Sequence, residues 1–275
     1  MQPSSVATDL DRLDPVRLLS LAAATAPAAK RTDLIHNAAA ATFSAVGLRF
    51  DLDPPSHAEI RSLRSALDST GLTLLDSEVV RIGTHDAATI AGVIDSAAEL
   101  GALHVLVVSD LDDHGATIAA LADLGARVHA AGMRVVVEFM RFTGIRTLGE
   151  AFEIVEATGD PSIGVLVDPL HLARSGGHPS QLAAFDHSRL PYVQLCDAPA
   201  RAPAGDLEGL IDEARHRRLL PGLGDLPLDE LLIAVPAVPI SVEVYNDGAR
   251  ERHSPGELAK LVADHTRRRF AQQLR

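Results

Sequence analysis

The chain has 275 residues, 47% of them hydrophobic, with 25 basic against 37 acidic side chains and a net charge of −12. That balance excludes a general nucleic-acid or membrane-surface binder, although a pocket can still carry a local charge of its own. No apolar run approaches the roughly 18 residues of a membrane span, and the lone Cys196 excludes an internal disulfide and fits a reducing cytoplasm.

In chain order, Met1 to Asp14 are acidic without an apolar centre, so no signal peptide is expected. Arg17 to Ala24 reads as a first strand, and Pro27 to Ala41 as a helix with proline near its start. Ala45 to Phe50 is a second apolar run. Ser56 with Glu59 forms a capping-box signature for a helix that Gly71 stops. Leu72 to Ile82, with Asp76 and Glu78, reads as the third strand, Asp86 to Leu100 as a helix, and Leu103 to Val108 as the fourth strand. Gly115 to Ala131 is helical. Met133 to Phe139, Ile163 to Val167, Pro191 to Leu195 and Val238 to Val244 read as strands five to eight, buried on both faces. Helices are expected at Thr147 to Thr158, Pro179 to Phe185, near Leu207 to Arg215, near Leu228 to Ala234, and at Pro255 to Gln272. Eight strands alternating with helices predict an α/β protein, a single (β/α)8 barrel spanning residues 1–275. A doubly wound sheet is the rival, weakened by the lack of G-x-G-x-x-G after the first strand.

Four of these strands carry an oxygen-bearing side chain at or near their C-terminal end: Glu138, Asp168, Gln194 and Glu243. Barrel active sites lie at that end. A buried carboxylate is expensive unless a cation or partner charge meets it. Structural ion pairs with arginines are the plainer alternative. Three carboxylates and an amide suit one Mg²⁺ or Mn²⁺ better than Zn²⁺. His171, three residues beyond Asp168, is expected in a loop over the same mouth, in contact with substrate or metal. Asp197, Arg218 and the strand arginine Arg49 are candidates for substrate contact; a guanidinium suits a hydroxyl, carboxylate or phosphate. Arg217 and Arg174 face the mouth or solvent, the Gly176-Gly177 pair is loop chemistry, and Cys196 reads as inert.

The ordered set Val-Glu138-Phe, Val-Asp168-Pro-Leu-His171, Val-Gln194-Leu-Cys-Asp197, Arg218-Leu-Leu-Pro-Gly-Leu-Gly and Val-Glu243-Val resembles the xylose isomerase-like TIM barrel superfamily. That resemblance implies one divalent metal held by Glu138, Asp168, Gln194 and Glu243. It also implies proton exchange by the two glutamates next to a carbonyl, and substrate contacts from His171 and Arg218. Gln194 departs from the ketose epimerases, which carry His there, and resembles the bacterial 3-dehydroshikimate dehydratases. Met140 departs from those dehydratases, which carry His two residues after the first metal-binding Glu. The expected function is a metal-dependent isomerase or epimerase of a sugar or cyclic polyol, acting through an enediolate. A lyase acting on a dehydroshikimate-like keto-cyclitol and a non-catalytic ligand-binding barrel are the alternatives. Endonuclease activity is disfavoured by the acidic charge. Small-molecule substrate, no nucleic acid, no membrane and a homodimer are the partner expectations.

Overall fold

The computed structural model describes residues 17–203 and 206–271; the expected absence of a signal peptide, read from Met1 to Asp14, falls outside them. Eight parallel strands run β1 (Leu19–Leu21), β2 (Ala45–Arg49), β3 (Thr73–Ile82), β4 (His104–Ser109), β5 (Arg134–Glu138), β6 (Ile163–Leu166), β7 (Val193–Leu195) and β8 (Ile240–Val242). They hydrogen-bond in the order β6-β5-β4-β3-β2-β1-β8-β7. The ring is completed by a parallel bridge between Val167 and Val193, with the Gln194 N–H donating to the Val167 carbonyl at 3.1 Å. This is the (β/α)8 barrel that the alternation predicts.

The outer helices are α1 (Arg31–Ala40), α2 (His57–Thr70), α3 (Ala87–Leu100), α4 (His114–Ala130), α5 (Leu148–Ala157), α6 (Pro169–Arg174), α7 (Leu207–His216), α8 (Leu228–Ala234), α9 (Asp247–Arg252) and α10 (Pro255–Arg269). Their ends follow local chemistry. The Ser56 hydroxyl accepts from the Glu59 N–H, and α2 stops at Gly71 in the left-handed region at φ 69°. The reciprocal half of that capping box does not form, because the Glu59 carboxylate binds Arg31 at 2.8 Å. Ser254 and Glu257 do form a complete box at α10.

Alternation along the strands divides the core in two. Val46, Leu48, Val105, Val107, Val135 and Val137 pack against the helices. The alternate residues Ala45, Leu106, Val108, Val136, Leu166 and Tyr192 fill the barrel.

The structure departs from expectation at three ends. The first strand is only Leu19–Leu21, since Ala23–Thr25 turn into a 3-10 helix whose Thr25 ties to β8. The first helix begins at Arg31, not Pro27, because the chain first makes a turn closed by the Ala29 N–H on the Ala26 carbonyl. His171 is not in a loop: it lies on α6, whose N-cap is Asp168 and whose first residue is Pro169.

Candidate active site

Glu138 is the last residue of β5, and Glu243 follows the last residue of β8. Asp168 lies just past β6, and Gln194 is central in β7. Glu138, Asp168, Gln194 and Glu243 are all buried, with 6, 0, 1 and 6% exposure. Backbone contacts fix two of them. Asp168 Oδ1 accepts from the Leu170 N–H at 2.6 Å and the His171 N–H at 3.3 Å. The Thr25 hydroxyl donates to the Val242 carbonyl at 3.1 Å and accepts from the Val244 N–H at 3.0 Å, holding the peptides on both sides of Glu243.

Arg218, 3% exposed, joins the carboxylates. Its Nη1 reaches Asp168 Oδ2 at 2.5 Å and Glu243 Oε2 at 2.9 Å. Its Nε donates to the Ala214 carbonyl at 2.8 Å, and its Nη2 lies 3.3 Å from His171 Nε2. His171 Nε2 is 3.7 Å from Glu138 Oε1. Ligand atoms of Glu138, Asp168 and His171 all lie within 4.8 Å of one another. Glu138, His171, Arg218 and Glu243 meet Arg49 and Tyr245 on the wall of a cavity of about 680 Å³ in the barrel mouth, with Asp168 and Gln194 buried behind that wall.

The electrostatics follow from burial. Burial first, then the charges of Glu243 and Asp168, pushes the Glu138 carboxyl well above the ordinary range. Burial also raises Glu243, against the pull of Arg218. At Asp168 burial works upward, but Arg218 and His171 outweigh it and hold the carboxyl low. Burial pushes His171 down to about 4, so the imidazole is neutral. Cys196 is buried, its thiol raised by burial and set 3.6 Å from Asp168 Oδ1.

The donor set fits a divalent cation. One guanidinium stands among three buried carboxyls, so ionising Glu138 and Glu243 creates negative charge that a cation would balance. With its nitrogen toward them, the Gln194 amide donates to Glu138 Oε1 at 3.0 Å and Asp168 Oδ2 at 3.1 Å. Turned over, its oxygen faces both carboxyls at those same separations, an arrangement that a cation, or a proton on Glu138, stabilises. His171, expected in contact with substrate or metal, lies within reach of the same cation, which widens the donor set toward nitrogen.

Asp197 stands apart. It is 1% exposed and absent from the cavity wall. Its carboxylate accepts from the backbone N–H groups of Ala198, Gly222, Gly224 and Leu226 at 2.9 to 3.1 Å. It organises the loop that presents Arg218, and a Cβ on Gly224 would lie 2.4 Å from its Oδ1. Asp197→Ala is therefore expected to lower stability by roughly 3 kcal/mol in urea unfolding, because several buried donors lose their partner; a change under about 1 kcal/mol would refute the assignment. Arg174 is also turned away, its guanidinium bound to Glu213 at 2.7 and 2.8 Å. Arg217 pairs with Asp212 at 2.5 Å. Arg49 does reach the cavity, where Nε and Nη2 hold Asp51 at 2.7 and 2.9 Å.

Sequence reasoning missed Thr25 and Tyr245. Thr25 lies just past the expected first strand, Arg17 to Ala24, and no local pattern links it to a strand more than two hundred residues away. Tyr245, directly after Val244, carried a usable signal, since it continues the alternation of the eighth strand past Glu243 into the mouth.

Among the described residues no helix is long and apolar enough to cross a membrane. A family model described as xylose isomerase-like TIM barrel matches residues 35–269. The 3-dehydroshikimate dehydratase of Pseudomonas putida is 28% identical over 166 residues, covering 57% of this chain and 25% of that protein. The inosose isomerase of Halalkalibacterium halodurans is 32% identical over 114 residues, covering 41% of this chain and 38% of that one. The chain thus spans about a quarter of the dehydratase and well under half of the isomerase. Among solved structures, the IOLI protein with a bound zinc atom superposes with a TM-score of 0.78 at 17% identity, covering 91% of this chain and 96% of that one. The D-allulose 3-epimerase of Methylomonas sp. in complex with D-allulose gives 0.71 at 15% identity, covering 93% and 98%. At those identities the likeness is one of fold. With the family model covering most of the barrel, the chain belongs to the xylose isomerase-like TIM barrel family.

Proposed function

We propose that this protein moves a proton on the carbon next to a carbonyl, in a sugar or cyclic polyol, as a metal-dependent isomerase or epimerase. The observation that supports this best is the pair Glu138 and Glu243, two buried carboxyls raised above their ordinary range that line one cavity from β5 and from the end of β8. Glu138, Asp168, Gln194 and Glu243 are the residues that would hold Mn²⁺ or Mg²⁺, with His171 in reach. The bound cation supplies polarisation of the carbonyl oxygen, which acidifies the neighbouring C–H.

The protein's own groups divide the remaining work. One glutamate, ionised, takes the proton from carbon and gives it back to the neighbouring carbon; for epimerisation the other glutamate would return a proton to the other face. Arg218 holds Asp168 and Glu243 in place and offers N–H donors to substrate oxygen. Neutral His171 offers a ring N–H or lone pair without adding charge. The apolar wall of Leu106, Val108, Met140 and Phe142 limits access of water. The test is solvent exchange: with Mn²⁺ in D₂O, an inosose or a ketose such as D-allulose should lose its proton signal next to the carbonyl. Failure across a broad panel of both would sink the reading.

A second reading is dehydration of a keto-cyclitol. It is favoured by Gln194 and by the similarity to the dehydratases. It would show as a new conjugated ultraviolet absorbance from 3-dehydroshikimate. Either reaction suits a cytoplasmic enzyme with a small-molecule partner.

Metal uptake has a predicted pH signature. Glu138 and Glu243 titrate above the ordinary glutamate value of 4.5 in the folded chain, so they must shed protons to ligate. Mn²⁺ binding is expected to release protons and to tighten as pH rises through the acidic range. The same shifts work against the metal-free fold: above 4.5 the folded chain holds more protons than the unfolded one, so its stability falls as pH rises. Calorimetry in two buffers of unlike ionisation enthalpy measures the released protons, and a value of zero would contradict the shifts.

A further inference from the structure

The cavity holds one acid that this proton-transfer scheme leaves idle. Glu78 lies on β3, in register with Arg49 of β2. It is 4% exposed and lines the same cavity as Glu138, His171 and Glu243. Its Oε1 is buried and has no hydrogen-bond partner. Three arginines of the cavity are committed elsewhere; Arg215 of α7 and Arg250 of α9 line it too, and the Arg250 Nε is buried without a partner. Arg49 binds Asp51 at 2.7 and 2.9 Å and the Tyr245 hydroxyl at 3.3 Å. Arg81, on the same strand, binds Asp110 at 2.5 and 2.9 Å. Arg218 binds Asp168 and Glu243.

A buried acceptor without a partner is a place where a ligand group gains by binding, since the desolvation of the carboxyl has already occurred. The kind of group is set by the charges around it. Burial, then Glu243 and Asp76, pushes the Glu78 carboxyl well above its ordinary range against the pull of Arg49, and Glu138 adds to the rise. With Glu138 and Glu243 given to the cation, a carboxylate or phosphate placed against Glu78 still meets that acid, and the guanidiniums of β2 and β3 beside it, Arg49 and Arg81, are already bound to Asp51 and Asp110. A hydroxyl brings no charge, and it donates or accepts as the carboxyl requires.

We propose that Glu78 is a substrate-binding and specificity-determining residue, which receives a hydroxyl of a neutral polyol or ketose and disfavours substrates bearing an anionic group at that position. This rests on the reading of the mouth as a substrate site. It selects within that reading the neutral cyclic polyols and ketoses over the keto-acids.

The test is calorimetric binding of two unreactive probes, neutral myo-inositol and anionic shikimate, to Mn²⁺-loaded wild type, Glu78→Gln and Glu78→Ala. Wild type is expected to bind myo-inositol more tightly than shikimate. Glu78→Ala is expected to weaken myo-inositol roughly tenfold or more. Glu78→Gln keeps the shape and a hydrogen-bonding amide, so it should retain myo-inositol while narrowing the gap to shikimate. Should Glu78→Ala fail to fold, the selectivity of the isosteric Glu78→Gln decides alone. Unchanged myo-inositol affinity in Glu78→Ala, unchanged selectivity in Glu78→Gln, tighter binding of shikimate by wild type, or no binding of myo-inositol would each overturn the proposal. Solvent-deuterium exchange separates the two ideas. Absent exchange with Glu78-dependent polyol binding removes only the proton-transfer reading, whereas exchange with Glu78-independent binding removes only this one.

Discussion

Glu243→Gln is expected to slow solvent-deuterium exchange by about 10²- to 10⁴-fold, the range for loss of a positioned general base. The substitution is chosen to separate chemistry from folding. A glutamine oxygen still accepts from Arg218, which reaches Glu243 Oε2 at 2.9 Å, and the Thr25 clamp acts on the backbone on either side. What is lost is the ability to hold a proton, together with one charge from the donor set. Metal content must therefore be measured on the same samples, with Mn²⁺ saturating, so that a weaker cation site is not mistaken for a missing base. Glu138→Gln should behave alike if the two acids share the transfer. A variant that keeps its metal and exchanges within about threefold of wild type would remove Glu243 from the proton path.

Arg218→Met should destabilise the metal-free protein by about 3–5 kcal/mol, the range for removing one partner of a buried ion pair. Arg218 is 3% exposed and its carboxylates are 0 and 6% exposed, so neither Asp168 nor Glu243 can turn to water for its lost partner. Methionine keeps most of the volume, which limits the packing loss. Added Mn²⁺ should restore part of the stability, because a cation bound to the folded state alone stabilises it by mass action and supplies the missing positive charge. Urea unfolding with and without Mn²⁺ measures both effects. A loss below about 1 kcal/mol, unaffected by Mn²⁺, would show that Arg218 is not the counterion of this site.

These two expectations rest on residues that differ in how visible they are in the sequence. Glu138 stands out because three valines precede it, and a carboxylate at the end of a doubly buried strand has few explanations. Glu243 is marked in the same way, inside an apolar run. Arg218, by contrast, sits beside Arg217 at the end of a helix. Nothing local separates the one bound to exposed Asp212 from the one bound to Asp168, 50 residues earlier. The difference comes from an isolated bridge between Asp197 and Leu219, and from Asn246, whose amide donates to the Arg218 carbonyl at 2.7 Å.

Glu78 was hidden for another reason. β3 shifts register against both neighbours, between Val46 and Gly47 on one side and between Ser77 and Val80 on the other. Such irregularities break the two-residue alternation. Asp76, Ser77, Glu78 and Val79 are consequently all buried, and no reading of period can say which of them faces the mouth.

Legible in the residues alone are the (β/α)8 alternation, the strands that carry or lead into Glu138, Asp168, Gln194 and Glu243, and most helix boundaries. Those features are written in hydrophobic period, caps and glycine stops, all of which act within a few residues. Only the tertiary structure decided that Arg218 joins the carboxylates, that Asp197 serves a loop, that Thr25 clamps Glu243 and that Glu78 shares the cavity. Each depends on ring closure and strand register, and so on contacts between segments far apart in the chain, which local propensity does not encode.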